Sequence, residues 1–387
     1  MDDLALHITL KKSGPPDRSQ TPTPAPPAVL VATFAGTDQT VLLAPRGVWW
    51  THRTLLVSDT GQNRVFIWRE VDPLRPIGEP DIVLGQADPG DTGRNRGGDV
   101  SAATLQYPSG VWSDGQRLII ADAWNHRVLV WHQFPTRHGQ PADVVIGQEN
   151  FTANEPNGLG IGAAPSDRSL YWPYGIHCDG TRLWIADTGN RRVLYYDHIP
   201  DTHHAPATAV IGKPDFISRD YEHTDAVWPY SVRVSPAGRM AIADTQYFRV
   251  LVWHDWTTAL TQPADVILGQ ADFEQNGANQ YGLYPQAHTL NWCYDTCWLD
   301  DTLLVADTGN SRVLWFSPYP SQHNTPASNL IGKPDFVTGS ENAATTLGTQ
   351  EMMYWPFAIS AGDGYIVLAD TGNHRILFYQ LLPHPES

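Results

Sequence analysis

The sequence predicts an all-β protein: a six-bladed β-propeller of four-stranded antiparallel blades, closed by an N-terminal strand at about residues 28–34 that completes the last blade. Three observations predict it. A hairpin unit with one fixed Asp–Arg spacing recurs six times along the chain. Apolar, strand-like segments flank the copies. The flanking segment that is missing after the sixth copy stands before the first instead.

The recurring unit comes first, because a fixed internal period overrides any local reading. Its copies are Leu55–Trp68, Leu118–Trp131, Leu183–Tyr196, Met240–Trp253, Leu303–Phe316 and Ile366–Tyr379. Each reads as an apolar strand, a tight turn and a second apolar strand opened by Arg. The aspartates fall at 59, 122, 187, 244, 307 and 370, and an arginine follows each of them five residues later. Six equivalent copies cannot share one active centre. Each Asp therefore reads as the cap of its turn, and each Arg as a partner for nearby backbone or carboxylate. The Gly of Asp-Thr-Gly reads as a turn residue. Where it is replaced, at Trp124 and Gln246, the turn is expected to change shape or to expose Trp124 and Tyr247.

Before each hairpin lies one further strand: Pro45–Val48, Pro108–Val111, Pro173–Ile176, Pro229–Val232, Cys293–Thr296 and Pro356–Ile359. After five of them lies another: Asp81–Gln86, Asp143–Gln148, Thr208–Lys213, Asp265–Gln270 and Ser328–Lys333. Apolar, β-branched runs bounded by Gly, Pro and Asn have strand character. No such segment follows Tyr379. Pro27–Ala32 instead carries the Pro-Ala lead-in seen at Pro141-Ala142, Pro206-Ala207, Pro263-Ala264 and Pro326-Ala327. Residues 28–34 should thus pair with the last hairpin, leaving the ring without a long open edge.

Composition agrees. Among 387 residues there are 32 Gly and 31 Pro but 17% charged residues, a turn-rich balance suited to many short strands. Residues 1–27 read as a disordered Pro-rich leader, from Ser13–Pro27 in particular, and residues 28–383 as a single domain. The start lacks a charged and apolar secretory signal, and no run has the length of a membrane span, so a cytoplasmic protein with no membrane partner is expected. The net charge of −16 repels nucleic acid, and no basic run overrides it. Three cysteines, Cys178, Cys293 and Cys297, make no disulfide framework and fit a reducing compartment.

The repeat resembles the NHL family, named for the stretch that here reads Asn125-His126-Arg127-Val128-Leu129 and Asn373-His374-Arg375. The resemblance covers nearly the whole chain after residue 27. It implies four-stranded propeller blades and, as in many such rings, a rigid platform that binds a partner on one face. Protein or peptide is the expected partner, with assembly or maturation of a metalloprotein as a more specific version. The alternative is a channel-centred enzyme. Related six-bladed rings include a metal-dependent amidating lyase, strictosidine-synthase-like enzymes and lactonases. The lyase resemblance implies histidine ligands in the channel, where His177 alone is placed. The lactonase resemblance implies a calcium site of Glu, Asn and Asp, for which Asp295 alone qualifies.

Candidate site residues lie where the inner strands begin, beside the long links Pro89–Gln106, Thr152–Tyr171, Glu274–Asn291 and Val337–Tyr354. Segments 152–171 and 337–354 are expected to order on binding. Blades three to six open with Trp172-Pro-Tyr174, Trp228-Pro-Tyr230, Trp292-Cys-Tyr294 and Trp355-Pro-Phe357, whereas blades one and two have Ala44-Pro-Arg46 and Tyr107-Pro-Ser109. An aromatic arc facing one cation suits a peptide or a small anionic ligand. The Trp side chains are expected to wedge between blades, leaving Tyr174, Tyr230, Tyr294 and Phe357, with Arg46, at the mouth. Blade five departs furthest, with Cys293 and Asp295 in place of Pro and a small residue, and with His288 nearby. Cys293, His177 and His288 are therefore candidate ligands for a channel metal, although nothing in the sequence requires a cofactor. Two residues four apart on a strand, such as Cys293 and Cys297, are separated by about 13 Å, too far to share one ion.

Overall fold

The computed structural model describes residues 25–339 and 352–383. Of the leader read at residues 1–27, residues 1–24 lie outside the described residues, as does most of link 337–354. Six four-stranded antiparallel sheets form the ring. In blade one, Gly47–Thr51 is innermost, followed outward by Thr54–Asp59, Arg64–Trp68 and Ile82–Leu84. Blades two to five repeat this order, opening with Pro108–Ser113, Pro173–Cys178, Pro229–Val234 and Cys293–Leu299. Blade six contributes Pro356–Gly362, Tyr365–Asp370 and Arg375–Leu381, and its outermost strand is Ala28–Phe34. That strand runs antiparallel to Arg375–Leu381, with Ala28 opposite Leu381 and Phe34 opposite Ile376. The expected closure is thus the observed one. Among the described residues no helix is long and apolar enough to cross a membrane.

The cores lie between blades, where β-branched and aromatic side chains of adjacent sheets interdigitate, as around Ile185, Ile176 and Val130. Each turn is fastened by its Asp–Arg pair, 2.8 Å in blade one and 2.7 Å in blades three and five, with both partners almost wholly buried. The remaining carboxylate oxygen accepts a backbone N–H sixteen residues upstream, from Tyr171 to Asp187 or Asn291 to Asp307. The rest of the guanidinium donates to carbonyls of the two links beside it. Arg192 reaches Ser166, Ser169 and Phe216, and Arg312 reaches Gln286, Thr289 and Phe336. Links long enough to suggest mobility are therefore pinned by buried, charge-assisted bonds, which are the strong kind. Segment 152–171 is among them.

Threonine latches neighbouring blades. Thr60, Thr188, Thr245 and Thr308 each donate, at 2.6 Å, to the first carbonyl of the next inner strand. Thr371 closes the set by donating to Pro45. Blade two has Ala123 at this position and lacks the hydroxyl. The turn glycine has a different reason from the expected one. The left-handed residue is two positions later, at Asn63, Arg191 or Ser311. Gly189 is needed because a Cβ there would stand 2.7 Å from the Tyr171 carbonyl, to which its own N–H donates.

Candidate functional site

The inner strands run from the turn-bearing face down the channel, and alternate positions build its wall in levels. The upper level is Arg46, Ser109, Tyr174, Tyr230, Tyr294 and Phe357. The structure brings the predicted aromatics together as a plug. Tyr174 stacks on Tyr230 at 4.6 Å, Tyr230 meets Tyr294 edge-on at 4.5 Å, and Tyr294 lies 4.0 Å from Phe357. Arg46 closes the belt, its guanidinium 4.2 Å from the Phe357 ring and 5.2 Å from Tyr107. Tyr107 comes from the position that carries Trp in blades three to six. It turns inward over the gap left by small Ser109 and stacks on Trp124 at 4.5 Å. Arg46 faces the Tyr230 hydroxyl, which makes no hydrogen bond of ordinary geometry. Burial holds the Tyr294 phenol up at about 12.

The tryptophans depart from expectation. Trp292 and Trp355 are 48% and 41% exposed, while Tyr230 and Phe357 are each 5% exposed. Pro or Cys after each Trp starts the strand. The preceding residue, at φ 46° in Trp292 and 53° in Trp355, swings its ring out of the blade.

Below the belt the channel narrows to room for roughly one water, about 20 Å³. Arg233 and Asp295 cross it at 2.9 Å. Arg233 also donates to the Ile176 and Thr296 carbonyls, and Asp295 accepts from the Ile359 and Thr296 amides. This one pair ties blades three, four, five and six. Burial pushes the Asp295 carboxyl up, against the pull of Arg233.

Beneath that pair the channel opens into a funnel of about 610 Å³ on the face opposite the long links. Three residues further along each inner strand, its wall is Trp49, Trp112, His177, Arg233, Cys297 and Ser360. Trp298 and Cys178 border it as well. His177 is 9% exposed, and neither ring nitrogen has a partner. Burial, then Arg233, lowers its imidazole to about 3. Burial raises the Cys178 and Cys297 thiols to about 12. In the repeat, His177, Arg233, Cys297 and Ser360 stand at one register, third after the belt positions Tyr174, Tyr230, Tyr294 and Phe357. Trp49 and Trp112 at the same register complete it.

The metal candidates are placed apart. Cys293 is fully buried in the core between blades four and five, where its thiol donates to the Arg249 carbonyl at 3.0 Å. His288 lies in the link before blade five, and His177 lines the funnel. Among the described residues no three His, Cys, Asp or Glu side chains gather as a metal site.

No protein-family model matches the sequence. Teneurin-1 of Caenorhabditis elegans is 25% identical over 256 residues, covering 60% of this chain and 9% of that protein. The chain thus spans under a tenth of that relative. A protein of unknown function from Bacteroides thetaiotaomicron is similar in structure, with a TM-score of 0.51, 12% identity and coverage of 92% of this chain and 76% of that one. A streptogramin B lyase structure has a TM-score of 0.47 at 10% identity, covering 92% and 98%. The Bacteroides likeness speaks to the fold and to nothing finer. That fold suits a binding platform or an enzyme.

Proposed function

We propose that this chain is an interaction platform of the NHL-repeat kind, with residues 28–383 as one domain after a leader, docking a protein partner on its turn-bearing face. One observation carries the reading. Of fifteen large hydrophobic side chains exposed among the described residues, twelve lie on that face, including Trp124, Ile161, Tyr281, Leu283, Trp292 and Trp355. Exposed apolar surface concentrated on one face favours a protein contact. The belt of Arg46, Tyr174, Tyr230, Tyr294 and Phe357 gives that face a rigid centre. The charge of −16 favours a partner with a basic rim. Three unpaired, buried cysteines support a cytoplasmic setting.

The versions built on blade five have less support. Cys293 faces the core, away from any incoming metal or thiol. The Asp295 oxygens are already occupied by Arg233 and two amides, which weakens the lactonase-like alternative. The test is photo-crosslinking in the source cell, with a crosslinking residue at position 355 or 283 and, on the opposite side of the ring, at 74. The reading expects one discrete partner band from 355 and 283 and none from 74. Bands from 74 alone, or no band from any position, overturn it.

A further inference from the structure

Six copies of one structural unit allow a comparison inside a single chain. At the positions that hold the blades together the copies agree: Asp and Arg in all six, Thr in five. At the funnel level they read Trp49, Trp112, His177, Arg233, Cys297 and Ser360, with just the first two alike. Each blade builds the same sheet with a different side chain here; Arg233 ties blades three to six and Trp112 packs into the core between blades two and three, while the polar atoms of His177 have no such structural use.

Their chemistry is also incomplete. Buried polar atoms without partners are rare and require an explanation. His177 has two of them at the funnel wall, and the Nε1 of Trp184, whose ring is 5.4 Å away, is a third. A neutral imidazole offers one donor and one acceptor. The charged groups, by contrast, are all spoken for. Arg233 is paired with Asp295 at 2.9 Å, and at the rim Arg117 and Arg182 are paired with Asp114 and Asp179, each at 2.6 Å. The indole N–H groups of Trp49 and Trp298 donate to the Ser113 and Arg233 carbonyls, which leaves the ring faces as their open surface. A volume of about 610 Å³ is that of a small-molecule site.

We infer that the funnel opposite the long links is a binding site for a small, uncharged, flat aromatic molecule. It lies between the indoles of Trp49, Trp112 and Trp298 and exchanges a hydrogen bond with His177 through a hydroxyl or amide group. A charged ligand finds no unpaired counter-charge here and loses its hydration on entry. The site is separate from the partner-docking face, being closed off from it by the Arg233–Asp295 pair and the belt above.

The test is calorimetric titration of the full chain with 2-naphthol and with 2-naphthoate. The expected result is saturable one-site binding of 2-naphthol, at least about tenfold tighter than 2-naphthoate. His177→Leu and Trp112→Leu should each weaken it by at least about tenfold, while Leu74→Ser on the outer rim leaves it unchanged. Where His177→Leu fails to fold, Trp112→Leu and the naphthol-to-naphthoate ratio carry the test. No saturable binding, tighter binding of the anion, or equal affinity in the folded Trp112→Leu variant would overturn the inference. Partner crosslinking from position 355 is read separately, so either result stands without the other.

Discussion

The turn layer and the funnel wall are built from the same six repeats, yet they differ in kind. In the turn layer each copy holds the same buried Asp–Arg pair, and in blades one to five the guanidinium reaches the links on both sides. In the funnel wall, equivalent positions hold indole, imidazole, guanidinium, thiol and hydroxyl. A side chain that repeats with the blade belongs to the architecture. A side chain that changes while the blade stays the same is either a local fastening, as Arg233 is, or available for other work, as His177 is.

The sharpest test of the architectural half removes a whole repeated element. Deleting residues 1–40 takes away the strand Ala28–Phe34 and exposes the edge of Arg375–Leu381, so no soluble, monodisperse protein is expected, whereas deleting 1–20 should leave the thermal midpoint unchanged. A stable, monodisperse chain lacking 1–40 would break the comparison at its base. Next in size, Arg192→Met leaves the buried Asp187 without its partner and should cost about 3–5 kcal/mol in chemical denaturation. The funnel wall predicts a pH effect instead. The His177 imidazole is held near 3 in the fold and takes up a proton near 6.5 once unfolded. Its contribution is fully retained above 6.5 and is lost as pH falls below it, so His177→Leu should gain about 2 kcal/mol on the parent between pH 7.5 and 5. An equal pH slope in both proteins would remove His177 from the argument. Smallest, Thr308→Val deletes one latch to Pro356 and should cost about 1–2 kcal/mol by the same denaturation measurement.

The architecture was legible because its signal is repeated six times. The Asp–Arg offset, the flanking strands and the Pro-Ala lead-in at Pro27 all correspond to observed elements. What stayed hidden depended on contacts between distant segments. Gly189 is glycine because Tyr171, eighteen residues upstream, passes too close, and no local pattern announces that. The reciprocal amide pairs Asn95–Asn125, Asn157–Asn190 and Asn279–Asn310 also join links to turns across some thirty residues. The aromatic belt was found from its Trp-Pro-Tyr triplets. Its inward turn at Tyr107 was not, since that depends on the size of Ser109 two positions on. The funnel was legible in principle. Counting three residues onward from Arg46 and Ser109 gives Trp49 and Trp112 beside the His177–Arg233–Cys297–Ser360 alignment.

The seam in blade six has a consequence for how the molecule is made. Ala28 emerges from the ribosome long before its partner Leu381. At roughly 5–20 residues per second, the first strand waits on the order of twenty seconds to a minute for the segment it must join. Throughout that interval an apolar strand and five growing blades stand without a closed perimeter. Anything that shields Ala28–Phe34 while translation continues would raise the yield of finished rings, and a pause near the end of the message would lower it.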